Sequence, residues 1–282
     1  MKHEPDVWQE AYQDDGFVIV PDVLDPATLA RLRDTLDRVT GGLDQLRPNL
    51  RHKIFLERDH VKNNPQWYAA NLTPEQCGTS VRQIIDLAEF DPAFAELICC
   101  PPLLDVLEVL FGSPEFSLSF LLARPKAARV GNGISNGAFH RDTPFEEFTG
   151  ANTIISLLCL DEMTGENGST MFVPASHKVS DDEARKPGWR EVPPDTFPPE
   201  KKVVVRCPAG SGIFFTSKLL HAAGHNRSER PRRTIQAEWA GPDVLPTCLA
   251  RFSCQGLKPR SKDPACQKQI RMTFPRLFAG GA

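Results

Sequence analysis

No stretch of this chain has the roughly 18–20 consecutive apolar residues needed to cross a bilayer as a helix. Its opening residues, MKHEPDVWQEAYQDDGF, are polar and acidic and lack the apolar centre of a secretory signal. A cytoplasmic protein with no membrane partner is therefore expected. Basic charge is not in excess either: 33 Lys and Arg stand against 36 Asp and Glu, a formal net charge of −3. Nucleic-acid-binding surfaces are normally strongly basic, so no nucleic-acid partner is expected. None of the eight cysteines forms a Cys-x-x-Cys pair, which argues against a zinc knuckle. In a reducing compartment these cysteines are expected as small buried apolar side chains or inert thiols, not as a disulfide framework. No internal repeat is visible.

What is present is the material of a globule with a real core: 282 residues, 40% apolar and 24% charged. Phe17–Val20 reads as a short strand. A helix follows, with Asp25 as N-cap and Pro26 at the first position, where no amide hydrogen is needed. Leu29, Leu32, Leu36 and Val39 recur at helical spacing, and Gly41–Gly42 supplies the stop. DPAFAELICCPPLLDVLEVLFGSP is helical again, but Pro101–Pro102 splits it, so two shorter helices are expected. The proline-rich stretch 187–199 reads as an irregular loop and the charged run 181–186 as solvated.

From about residue 115 the pattern changes. FSLSFLLA, NTIISLLCL, STMFVP, KKVVVRC, SGIFFTS and RTIQAEWA are short, rich in β-branched or aromatic residues, and separated by turn formers. No helical segment long enough for a parallel crossover lies between them. The expected fold is mainly β with flanking helices: a double-stranded β-helix (jelly-roll, cupin-like) core. Residues 1–282 are expected to form a single domain, with 1–112 mostly helical and 113–282 the jelly roll with loop insertions.

The stretch GAFHRDTPF places His140 and Asp142 two residues apart. In an extended segment such residues share a face, so both side chains can turn into one cavity. A His-x-Asp pair alone is weak evidence, because most such pairs lie in solvated loops. Downstream, His221 follows an apolar strand and is succeeded by a Gly/Asn/Ser turn and the arginine pair Arg232–Arg233. Two imidazoles and one carboxylate on one face of a metal leave three positions open, the facial triad of non-haem Fe(II) oxygenases. An arginine nearby suits the far carboxylate of a chelating co-substrate, because guanidinium grips both oxygens.

These motifs resemble those of the phytanoyl-CoA dioxygenase family. The likeness runs from DGFVIVPDVLDPATLARLRD through PPLLDVLEVLFG, FHRD and ENGSTMFVPASHK to HAAGHNRSERPRR. In the last, Gly224, Asn226, Ser228 and Arg232 follow His221 in order. The resemblance implies a jelly-roll oxygenase that uses Fe(2+), 2-oxoglutarate and O2, hydroxylates a small organic molecule, and releases succinate and CO2. It makes His140, Asp142 and His221 the metal ligands and catalytic residues, and Arg232 the partner of the 2-oxoglutarate C5 carboxylate. It also makes Phe120 and Leu157 walls of the co-substrate pocket. Arg233 is expected to face away, since neighbouring strand residues point oppositely. Two departures from the family pattern stand out. Arg141 occupies a position where relatives often carry glutamine, and Ala175 replaces glycine in the PASHK turn, which is expected to change the loop backbone. Related halogenases lack the carboxylate, so Asp142 favours oxygenation.

The family's substrates range from fatty acyl-CoAs to natural products. A natural-product or metabolic intermediate is favoured here over an acyl-CoA. Alternatives of other classes are a metal-binding jelly roll without oxygenase activity and a metal-dependent hydrolase or isomerase. Segments 43–80, 141–150 and 181–200 are expected to build the substrate cavity, without a readable code. His225 is a weaker candidate for third ligand, and His177 is a turn or cavity residue. His52 and His60 are read as surface residues, and Phe214 and Phe215 as core. Trp239 is read as core or as a border of the cavity. Oligomeric state leaves no trace in the sequence.

Overall fold

The computed structural model describes residues 5–63, 73–128, 139–142, 148–180, 182, 191–192, 198–246 and 252–275. Among the described residues the α-helices are α1 (Pro5–Asp15), α2 (Pro26–Gly41), α3 (Pro48–Arg51), α4 (Glu57–Asn63), α5 (Pro92–Glu96), α6 (Pro101–Phe111) and α7 (Pro264–Thr273). Helix α2 starts where the cap requires: the Asp25 Oδ1 accepts the backbone N–H groups of Ala27 and Thr28 at 2.9 and 3.0 Å. Its Leu32, Leu36 and Val39 form the buried stripe. Helices α5 and α6 are separate, as the proline pair implies. Gly112 ends α6 at φ +65°, a left-handed turn that suits a residue without Cβ.

Among the described residues twelve strands follow in order: β1 (Phe17–Val20), β2 (Ile54–Leu56), β3 (Val81–Ile84), β4 (Ser117–Ala123), β5 (Phe139–His140), β6 (Thr153–Cys159), β7 (Thr170–Phe172), β8 (Glu191–Val192), β9 (Val203–Val204), β10 (Gly212–Thr216), β11 (His221–Ala223) and β12 (Thr234–Ala240). They pair antiparallel into a seven-stranded sheet, β1-β10-β6-β12-β4-β3-β2, and a five-stranded sheet, β8-β5-β11-β7-β9. This is the jelly roll. The first 112 residues are less purely helical than the sequence implies, because they give β1 to one edge of the large sheet and β2–β3 to the other. Those three strands are only three or four residues long, too short to impose a two-residue period on the sequence.

Every residue of β6 is buried, because both faces of the large sheet are covered. On the outer face Ile154, Leu158, Ile235, Ala237 and Trp239 pack against Leu32, Leu36, Phe94 and Leu107 of the helices. On the inner face Ile155, Leu157, Ile213 and Phe215 meet Phe172 and Val205. Among the described residues no helix is long and apolar enough to cross a membrane. The run 181–186 and the stretch 187–199 lie largely outside the described residues.

Candidate metal centre

The small sheet assembles the cluster. Strand β5 pairs with β11 so that His140 and His221 sit directly opposite each other, ring centroids 4.3 Å apart. Asp142, two residues beyond His140, points the same way. Its Oδ1 lies 3.5 Å from His140 Nε2 and its Oδ2 3.3 Å from His221 Nε2. One ligand atom from each of the three residues falls within 4.8 Å of the others. The His221 ring is oriented by its other nitrogen, since Nδ1 donates to the Leu219 carbonyl at 3.0 Å. In a neutral ring that bond selects the tautomer that presents Nε2 as the ligand atom. Phe215 flanks the same imidazole at 4.9 Å, centroid to centroid. Burial alone would raise the Asp142 carboxyl, but His221 and His140 more than offset it and hold it well below the usual range.

The cluster opens into a cavity of about 110 Å³ whose lining includes Arg124, Lys126, Leu157, Thr170, Arg232 and Gln236. Strand β12 alternates: Thr234, Gln236 and Glu238 face inward and Ile235, Ala237 and Trp239 outward. Arg232, just before β12, keeps the inward parity and is 3% exposed. Its Nη1 donates to Thr234 Oγ1 and its Nη2 to the Gly168 carbonyl, each at 3.0 Å, while Nε is buried without a partner. Burial pushes its pKa down to about 10. Arg233 faces the other way and forks onto Asp161, with Nη2 and Nε at 2.7 and 2.9 Å. Backbone bonds between Lys126 and Arg232 tie the two residues together in both directions, at 2.8 and 2.9 Å. The Asn226 amide secures the intervening loop by donating to the carbonyls of Arg230, Ala127 and Lys126.

The other candidates are placed as follows. Leu157 lines the cavity; Phe120 packs on the inner cluster and against the Phe252 ring, 5.6 Å away, and is not among the described lining residues. Arg141 is buried and turned away, donating to the carbonyls of Lys218 and Ser176 at 2.7 Å each, so it staples the turns beside the site. His177 belongs to the fold: its Nε2 donates to the Gln13 carbonyl at 3.1 Å. Ala175 adopts φ +61°, the conformation glycine takes freely. His225 stands outside the cluster, and burial lowers its pKa. Trp239 is fully buried on the outer face, away from the cavity, and donates to Ser156 Oγ at 2.9 Å. His52 is exposed, whereas His60 is half-buried on α4, where β2 folds back on β3 and carries it over a second cavity.

Sequence reasoning missed Glu57, Arg82, Arg124 and Lys126, all on the lining of the first cavity. The available signal was the pair of cations in ARPK, directly after an apolar strand.

Comparison with known proteins adds four observations. A model of the phytanoyl-CoA dioxygenase (PhyH) family matches residues 12–234. A protein of Aspergillus novofumigatus named as an Fe(II)/2-oxoglutarate-dependent dioxygenase is 25% identical over 280 residues, covering 95% of this chain and 82% of its own. An uncharacterized protein of Mycobacterium tuberculosis is 26% identical over 235 residues, 82% of this chain and 73% of that one. Among solved structures, the epimerase SnoN in complex with Fe3+, α-ketoglutarate and nogalamycin RO has a TM-score of 0.63 at 20% identity, over 89% of this chain and 94% of that one, a likeness of fold.

Proposed function

The chain belongs to the phytanoyl-CoA dioxygenase family, and from that premise we propose that it is a non-haem Fe(II)- and 2-oxoglutarate-dependent dioxygenase acting on a small organic molecule. The observation that carries the reading is the convergence of His140, Asp142 and His221 beside a buried arginine. The residues fit the groups they would hold. Two imidazole nitrogens and a carboxylate oxygen, with the His221 ring oriented by the Leu219 carbonyl at Nδ1, form a one-faced donor set suited to ferrous iron. The unpartnered Nε of Arg232 and the cationic lining suit a dianionic keto acid.

Iron, 2-oxoglutarate and O2 together supply the oxidising power that functionalises an unactivated C–H bond, with succinate and CO2 as by-products. The protein contributes position and shelter. Asp142, held in its ionised form, provides the negative charge among the ligands. Arg232 anchors the far carboxylate of the keto acid, with its fork pre-set by Thr234 and the Gly168 carbonyl. Leu157 and Phe215 keep water from the reacting face. The whole chain is read as one working unit, because the outer core joins the helices of the first 112 residues to β6 and β12. A cytoplasmic location remains the reading that the sequence supports.

A substrate library screened for stimulated succinate release, with mass shifts on the hits, tests this reading. Stimulation in the wild type and none in Asp142→Ala is expected. Equal succinate release by both proteins would refute it.

A further inference from the structure

Four cationic side chains border the cavity at the cluster, and three of them have partners. Arg82 Nη1 pairs with Glu57 at 3.3 Å. Lys126 donates to the Gly224 carbonyl. Arg232 is held by Thr234 and Gly168. Arg124 differs. Its Nε is out of reach of solvent and has no hydrogen-bond partner, and among the described residues no carboxylate forms an ion pair with it. Asp142 acts on it only through its field, and in the reading above Asp142 belongs to the metal. A guanidinium N–H taken out of water without a partner is unfavourable unless a ligand supplies one.

The position of Arg124 indicates which ligand. Beyond the first cavity lies a second of about 380 Å³, walled by Ile54, Leu56, Asp59, His60 and Asn63, and Arg82 and Arg124 line both. A volume of that order suits a drug-sized or metabolite-sized molecule. Its apolar walls come from β2. Burial, then Arg82 and Arg124, pushes the pKa of His60 down to about 4, so His60 is neutral at physiological pH and does not compete with Arg124 for an anion. Arg232, held by two hydrogen bonds but with its own Nε unpartnered, lies deeper, at 3% exposed, whereas Arg124 is half-buried at the boundary between the chambers.

We infer that Arg124 binds an acidic group, a carboxylate or a phosphate, on the primary substrate, whose apolar body occupies the chamber between β2, α4 and β3. The inference rests on the dioxygenase reading and deepens it by giving the substrate class. Once Arg232 has taken the co-substrate carboxylate and Glu57 has neutralised Arg82, Lys126 and Arg124 remain; Lys126 is committed to the Gly224 carbonyl and burial lowers its pKa well below the ordinary value, which leaves Arg124 as the guanidinium open to an anion. Its planar fork matches either anion with two parallel hydrogen bonds.

The test uses the full chain loaded with Fe(II) and 2-oxoglutarate, and a set of matched probes: aliphatic and aromatic carboxylic acids, their methyl esters, and the corresponding phosphate monoesters. Stimulated succinate release is expected from acids or phosphate monoesters and not from the esters, the two anion arms separating the two chemistries. In Arg124→Gln the KM of the stimulating acid should rise by about tenfold or more, and Arg124→Lys should recover part of it. The 2-oxoglutarate midpoint, read anaerobically from the visible absorption of the Fe(II) complex, should stay within about twofold of wild type in Arg124→Gln and move at least about tenfold in Arg232→Gln. Circular dichroism confirms that each variant is folded. The inference is overturned if no anionic probe stimulates beyond its ester, or if Arg124→Gln moves the 2-oxoglutarate midpoint instead of the acid KM. Failure of the underlying reading has a separate signature, a wild-type protein that gives no 2-oxoglutarate-dependent absorption at all, and that result overturns both.

Discussion

Arg232 and Arg233 are neighbours in sequence with opposite duties, and alanine at each should separate stability from co-substrate binding. Arg233 forks onto both oxygens of Asp161 at 2.7 and 2.9 Å and reaches Asp37 at 2.6 Å. The Arg233 and Asp161 side chains are only 15% and 17% exposed, while Asp37 is 58% exposed and adds little. A charge-assisted pair of this kind contributes about 1.5–3 kcal/mol. Asp161 would keep Arg33 at 3.5 Å and the backbone N–H of residue 233, which lowers the loss. Arg233→Ala should therefore destabilise the fold by about 2 kcal/mol, lowering Tm by roughly 4 °C in a chain of this size. Its 2-oxoglutarate affinity should be unchanged. Arg232→Ala removes a buried cation whose Nε has no partner, so folding should suffer little. Loss of its contact with the keto acid should weaken 2-oxoglutarate roughly 10- to 150-fold. Thermal unfolding followed by circular dichroism, beside anaerobic 2-oxoglutarate titration of the Fe(II) protein, reads both. The reasoning is refuted if Arg233→Ala weakens 2-oxoglutarate tenfold while Arg232→Ala leaves it alone.

Three further outcomes are expected. Ala175→Gly relieves a left-handed residue at φ +61° and should stabilise the protein by about 0.5–1 kcal/mol after the entropy of the unfolded glycine is deducted, an increase in Tm that a decrease would contradict. Gly168→Ala, at φ +79°, would bring a Cβ to 2.8 Å from the Gly224 carbonyl oxygen and 3.0 Å from Asn226 N; it should destabilise by at least about 2 kcal/mol and raise the 2-oxoglutarate requirement, because the Gly168 carbonyl holds Arg232. His60, with a folded pKa near 4 against an ordinary 6.5, gives stability that is full above about pH 6.5 and declines as the pH falls towards 4. The wild-type Tm should accordingly fall more steeply across that window than that of His60→Gln, and parallel slopes would count against the buried neutral imidazole.

The parts of this fold that the sequence shows are those where one local rule dominates. Asp25-Pro26 caps a helix because the carboxylate meets free amide groups, and the long strands β4, β6 and β12 carry enough β-branched residues to be seen. The metal cluster was legible because two of its ligands are i and i+2 on an extended segment and the third sits in a family-patterned stretch. Helix α1 was not, since Trp8, Ala11 and Tyr12 give it only a thin, partly buried apolar stripe. Strands β2 and β3 are too short for alternation to register, yet with α4 between them in sequence they supply every described wall of the second cavity except Arg124. Phe120 shows another limit: the β12–β4 register steps by one residue between Glu238 and Trp239, which a one-dimensional pattern does not reveal. Trp239 shares the parity of Ile235 and Ala237, so its outward direction could have been read from Arg232 by counting along the strand.

Anaerobic addition of Fe(II) and then 2-oxoglutarate tests the metal centre most directly. The expected result is one iron per chain and a visible absorption band that disappears in each of His140→Ala, Asp142→Ala and His221→Ala, with all three variants folded. A band that survives in His221→Ala, with its midpoint unmoved, would contradict the assignment of the iron to this cluster.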